Sequence, residues 1–354
     1  MSVIFGLLVT IVGIILQLSA GRFTGHVTAL FFRDVKIGMA LSYAVFCNAF
    51  SFWVYLSIGR NFVPRTAVVL CVMLVMTQLI MIFPFLQYLF FFLEPDKVVS
   101  KIMKNGLKAA SAGLVANGEN LEKGQVKAIM SVEHLIDAAN GALKKKDKNI
   151  TSEIVDALCS FTMHYGTIKG LMYILWFRIP VWIRSSPDFL ALSQEAIDKM
   201  KVDKTWMEWK ILRQYQMLFT EALKLMKELC YHIAMNTMLI GENAARRGDL
   251  PVVDLCIKFF NTYLRGSINS VDVRTVYNVL FQYRKLAEVI ILCGHEIGNT
   301  VPGEENALEQ RALRIAKYMR YYSYLCLGKS LMFLVEVTAH DIRILCETAF
   351  RVKR

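Results

Sequence analysis

The best ligand-like spacing in the chain is Glu336 and His340, four residues apart, with Asp341 beside them. On a helix that interval puts a carboxylate and an imidazole on one face, where both can reach a divalent metal. Two ligands do not make a site, and a third and fourth must come from elsewhere, for instance Glu133 and His134. A histidine near a carboxylate on a helix is more often a structural hydrogen bond, so no metal is expected. Cys293-Gly-His295 sets a thiol beside an imidazole, but no third group is marked to orient the pair. There is no phosphate-binding loop, dinucleotide fingerprint or nucleophile elbow. The expectation is therefore no catalytic residue, no cofactor and no enzyme activity.

Polar residues inside apolar stretches are the second source of chemistry. Thr66 to Leu93 runs for 28 residues without a charge and contains Thr77, Gln78, Pro84 and Gln87. Such groups line a water path or hydrogen-bond to a neighbouring helix, and the second is the more frequent. Pro84 removes one backbone donor and is expected to kink its helix. Near the N-terminus, Gly6, Thr10 and Gly13 form a strip of small residues along which another helix can approach closely.

These residues must be positioned by membrane helices. The chain has 354 residues, 55% of them hydrophobic, and the apolar excess lies before residue 94. Three runs, about 2–20, 39–59 and 66–93, approach or exceed the roughly 20 residues that cross a bilayer. Residues 1–93 carry a net +4 of the total +12, which leaves +8 beyond them. Arg22, Arg33 and Lys36 share a side with Lys97, Lys101, Lys104 and Lys108, against Arg60 and Arg65 opposite. The positive-inside rule then puts the N-terminus outside and residues 95–354 in the cytoplasm. A moderately basic domain there suits anionic lipid rather than nucleic acid, for which no module is present.

Residues 95–354 read as helix throughout. Leu121–Leu143 and Thr151–Met172 are separated by the lysine-rich turn Lys144–Lys148, with Thr151 as the expected N-cap. The apolar stretch Leu171–Ile183 is too short to span and is interrupted by Arg178 and Pro180. A buried core helix is expected there, with a segment resting on the bilayer as the alternative. Lys204–Arg247 reads as one long amphipathic helix, broken at Gly248 before Pro251 starts the next. Ser270–Ile297 and Glu304 to about Arg351 read as two more. Eight scattered cysteines without paired spacing read as small buried hydrophobes in a reducing compartment.

Phe23-Thr-Gly-His26, Phe32-Arg-Asp34, Phe62-Val-Pro-Arg65 and the helix opening Pro95-Asp-Lys-Val-Val-Ser-Lys-Ile102 form an ordered series. With the spans between them, they resemble a family of uncharacterised bacterial predicted inner-membrane proteins bearing a domain of unknown function. The chain departs from that pattern at Thr24-Gly25-His26, where the family has Ser-Pro-Arg. It departs again at Lys144–Lys148, where the family has a Ser-Pro-Gly-Ile-Asn-Asp-Pro loop. The resemblance implies a bacterial inner-membrane location and imports no activity. The reading is thus an all-α protein, with a transmembrane domain over 1–94 and a large cytoplasmic helical domain over 95–354. Its expected role is an oligomeric scaffold or partner-binding component that contacts membrane lipid, other copies of itself and cytoplasmic proteins. The alternative is an oligomeric channel lined by the third span.

Overall fold

The structure, a computed structural model, describes residues 6, 8–15, 17, 34–59, 63–91, 94–115, 118–298 and 305–352. The architecture is all-helical. Two compact units divide between Lys101 and Ile102, inside a continuous helix.

In the first unit, α1 (Val35–Leu56) and α2 (Arg65–Phe91) pack together as a hairpin. Both are long and apolar enough to cross a membrane. Each begins a few residues from the expected span because helix continues into the polar flanks. Asp34 accepts from the Lys36 amide at 3.0 Å and caps α1. Its carboxylate also accepts from Tyr88 Oη at 2.7 Å and Lys101 Nζ at 2.8 Å, tying the start of α1 to the end of α2. Burial works against the charged form of Asp34, but the Lys101 and Tyr88 donors outweigh it and hold the carboxyl below its ordinary value. The first apolar run, expected as the first of three spans over 2–20, is described only in part, and those residues are helical.

α3 (Pro95–Ala110) leads into the second unit, where eight long helices form four hairpins. These are α4 (Gly118–Lys144) with α5 (Lys148–Lys169), then, after the short α6 (Gln194–Val202), α7 (Trp206–Leu225) with α8 (Lys227–Arg246). α9 (Leu250–Asn269) pairs with α10 (Val273–Gly298), and α11 (Glu305–Gly328) with α12 (Met332–Val352). Neighbouring hairpins stack in register: α4, α7, α9 and α11 make one layer, and α5, α8, α10 and α12 the other. Each hairpin packs principally on the next, which is the organisation of a helical solenoid.

Three expectations change here. The helix expected over Lys204–Arg247 is two, because Met226 takes φ −156° and ψ 79° and turns the chain back. The helix expected from Glu304 to about Arg351 is also two, separated at Ser330 with φ 60°. The N-cap of α5 is Asp147, which accepts from the Ile150 amide at 3.2 Å, while Thr151 lies buried within the helix. The break at Gly248, with φ 71°, falls where expected, and Pro251 occupies the first turn of α9. The core is aromatic: Phe219 stacks on Tyr263 at 4.5 Å, and Phe260 on Tyr283 at 4.9 Å.

Candidate functional site

Leu171–Ile183 is not a core helix. From Gly170 to Ser193 the chain forms an irregular strap, with a 3₁₀ turn at Ile174–Phe177 and single helical turns at Val181–Arg184 and Pro187–Leu190. Its inner side is fixed by polar contacts. The Tyr173 amide donates to the Gly113 carbonyl at 2.9 Å. Gln125 Nε2 donates to the carbonyls of Trp176 and Arg178 at 2.7 and 3.0 Å. Trp176 Nε1 donates to Tyr165 Oη at 3.0 Å, and Trp209 Nε1 to the Asp188 carbonyl at 3.3 Å. Trp176, Phe177, Ile179, Ile183 and Phe189 are buried, while Leu171, Tyr173, Ile174, Leu175, Val181 and Leu190 stand exposed.

Under the strap lies α7, where every residue from Trp206 to Leu212 is buried, including Glu208 and Lys210. Buried charges require partners, and these have them. Lys210 Nζ lies 2.9 Å from Glu133 and 3.0 Å from Asp188, whose other oxygen accepts from Gln214 at 2.6 Å. Lys169 Nζ lies 3.0 Å from Glu208 and 2.7 Å from Asp249. Burial opposes the Lys169 charge, but the two carboxylates outweigh it and raise its pKa above the ordinary value. These clusters bind the strap, α4, α5, α7 and α9 into one body. One oxygen of Glu208 is left buried without a hydrogen-bond partner, and burial raises the pKa of this carboxyl above its ordinary value.

The other exposed feature is the last hairpin. The outward face of α11 carries Leu313, Lys317, Arg320, Tyr321 and Tyr324, all exposed. Of the basic residues from Arg311 to Lys329, Arg311 and Arg314 are paired to Asp254 of α9, while Lys317 and Arg320 stand exposed. Beside this face, a cavity of about 300 Å³ opens between α10, α11 and α12, lined by Ile291, Ala312, Leu313, Leu345 and Ala349 among others.

The residues singled out by spacing are placed as follows. Glu336 and His340 are exposed on α12, with Asp341 nearby but paired to Arg284 at 3.0 Å. Glu133 belongs to the first hairpin and is bound to Lys210, so the two halves of the metal-like set do not meet. Among the described residues no group of three or more His, Cys, Asp or Glu side chains comes together. Cys293 is buried, as are Cys47, Cys159, Cys230, Cys256 and Cys326; Cys71 is half-buried and Cys346 exposed. In α2, Thr77 donates to the Met73 carbonyl at 2.8 Å and, like Gln87, is exposed. Gln78 is instead buried at 2% exposure, and neither of its polar atoms has a hydrogen-bond partner. The helix runs on through Pro84. Gly6 and Gly13 face open space, and Thr10 donates to the Gly6 carbonyl at 2.8 Å. Leu8, Val12 and Ile15 on the opposite side of that run are buried.

Sequence reasoning did not find the α11 face, although its signal was present in the aromatic-basic run Lys317-Tyr-Met-Arg-Tyr-Tyr-Ser-Tyr324. No protein-family model, curated protein or solved structure matches the chain.

Proposed function

We propose that the chain is an integral protein of the bacterial inner membrane that serves as an oligomeric scaffold, holding a protein partner on its cytoplasmic helical unit. The observation that carries this reading is the exposed aromatic and basic face of α11, on the last hairpin of a helical stack. Stacked hairpins supply extended rigid surfaces suited to protein binding. Tyrosine and arginine are the residue types that concentrate binding energy at interfaces, because they bury large area with little loss of rotamer freedom. The exposed Lys317 and Arg320 favour an acidic partner segment. The adjoining cavity is large enough for one apolar anchor side chain.

Self-association is assigned to the first apolar run. Its Gly6–Thr10–Gly13 strip lies opposite the side that packs within its own unit, where a second copy can approach. The channel reading gains less support, since Gln78 is held inside the unit while Thr77 and Gln87 point outward.

The test uses the full chain with Tyr321 and Tyr324 both changed to Ala. Both are exposed, so thermal stability should shift by no more than ~0.5 kcal/mol, while binding to an acidic amphipathic protein partner is lost. Undiminished binding would place the partner elsewhere. Equal loss of binding to a nucleic-acid probe would reassign the face.

A further inference from the structure

The strap combines three properties that the scaffold role does not require. It is held rigid from beneath by hydrogen bonds, its outward side chains are apolar, and its charges are sorted by sign. Ile174 is 65% exposed and Val181 75%. Leu171, Tyr173, Leu175 and Leu190 join them. Arg178 is exposed and Arg184 half-buried, whereas Asp188, the only acid between Gly170 and Ser193, is turned inward onto Lys210. Leucine, isoleucine and tyrosine, with the exposed Trp182 and arginine beside them, suit the boundary between lipid headgroups and acyl chains.

We propose that this strap docks on the anionic surface of the bilayer in which the chain is anchored. The proposal rests on the reading that α1 and α2 cross a membrane. Connectivity puts that surface within reach. α3 begins four residues after Phe91, the last residue of α2, and its 16 residues span about 24 Å. The 3₁₀ turn Ser111–Leu114 follows directly, and its Gly113 carbonyl receives the Tyr173 amide. Leu114 and Val115 extend the apolar exposure at that point. The exposed side of α3 carries Lys97, Lys104 and Lys108 along one stripe, while Val98, Val99, Ile102 and Ala110 are buried. That stripe places further basic charge in the sequence between the spans and the strap. Basic residues near an anionic leaflet add attraction that fades within a Debye length. The occupant is therefore lipid rather than a protein, whose docking would not call for a lysine stripe beside the span.

The full chain, with the exposed Cys346 replaced by Ser, is reconstituted into vesicles of phosphatidylglycerol and phosphatidylcholine. A spin label is attached in turn at Ile174→Cys, Val181→Cys, Ile80→Cys in α2, and Glu221→Cys. Glu221 is an exposed control 15 residues along α7 from Trp206, about 22 Å away at helical rise. Collision with oxygen, which concentrates in lipid, is compared with collision with a water-soluble nickel chelate. The oxygen-to-nickel ratio should be severalfold higher at Ile174 and Val181 than at Glu221, and should fall when phosphatidylglycerol is omitted. A lipid-like ratio at Ile80 with water-like ratios at both strap positions would overturn the docking and leave the anchor standing. A water-like ratio at Ile80 would overturn the anchor itself, and the docking with it. Strap labels shielded from both reagents would show a protein cover and overturn the proposal.

Discussion

Asp188 of the strap and Lys210 of α7 meet at 3.0 Å, and Lys210 is 2% exposed. The pair pins an irregular segment to a helix that is buried throughout Trp206–Leu212. Removing one partner of a buried pair costs more than the pair is worth, because the other charge stays desolvated. Glu133 remains beside Lys210 at 2.9 Å and softens that penalty. Asp188→Ala should lower stability by about 3 kcal/mol, read as a shift of the chemical denaturation midpoint. A change too small to resolve would mean the strap is held by its backbone contacts alone.

Gly113 is required by the close approach of the strap. A Cβ there would lie 2.9 Å from the Trp176 indole. That ring cannot retreat: its Nε1 is bonded to Tyr165, and Trp206 sits 6.0 Å away on centroids. Gly113→Ala should cost about 1–3 kcal/mol through overpacking and increase protease cleavage within 171–190. A variant as stable and resistant as the parent would contradict the packing described.

The pH dependence of the helical unit should show the Asp272 carboxylate. It accepts from the Thr275 hydroxyl at 3.0 Å and lies 3.0 Å from Lys227 Nζ, joining the starts of α10 and α8. Burial opposes its charge, but Lys227 and Thr275 outweigh that and hold the pKa below the ordinary 3.8. A depressed carboxyl gives stability that is present above the unfolded value and is lost as pH falls through the folded one. Asp272→Asn should therefore be less stable than the parent at neutral pH, with the difference closing below pH 3.8. Parallel stability curves throughout the acid range would contradict this assignment.

The helical class and the two long apolar helices were legible because uncharged runs and helical periodicity are local signals. The turn at Gly248 was legible for the same reason. Met226 and Ser330 were not, since neither is a glycine or proline and the apolar pattern continues past both. The strap misled because apolar residues signal burial, and here buried and exposed ones alternate without a regular period. Its anchors were out of reach as well: Lys210 finds Glu133 across 77 residues and Lys169 finds Asp249 across 80. The stacked hairpins carry no convincing 34-residue sequence repeat.

Self-association is testable at the first apolar run. Gly6→Leu with Gly13→Leu adds bulk where no described residue lies within 4 Å, so the unit itself has no reason to unfold. The oligomer mass in detergent, by light scattering, should fall in the double variant. An unchanged mass would move the contact to another surface.

The central claim is that the α11 face holds a protein partner. The direct measurement is photo-crosslinking in intact cells, with a benzophenone amino acid placed at Tyr324, which is 72% exposed, or at Glu221 as a control. The account predicts a discrete protein adduct from Tyr324 that is absent from Glu221 and lost when Arg320 is changed to Glu. No adduct at Tyr324, or the same adducts from both positions, would contradict it.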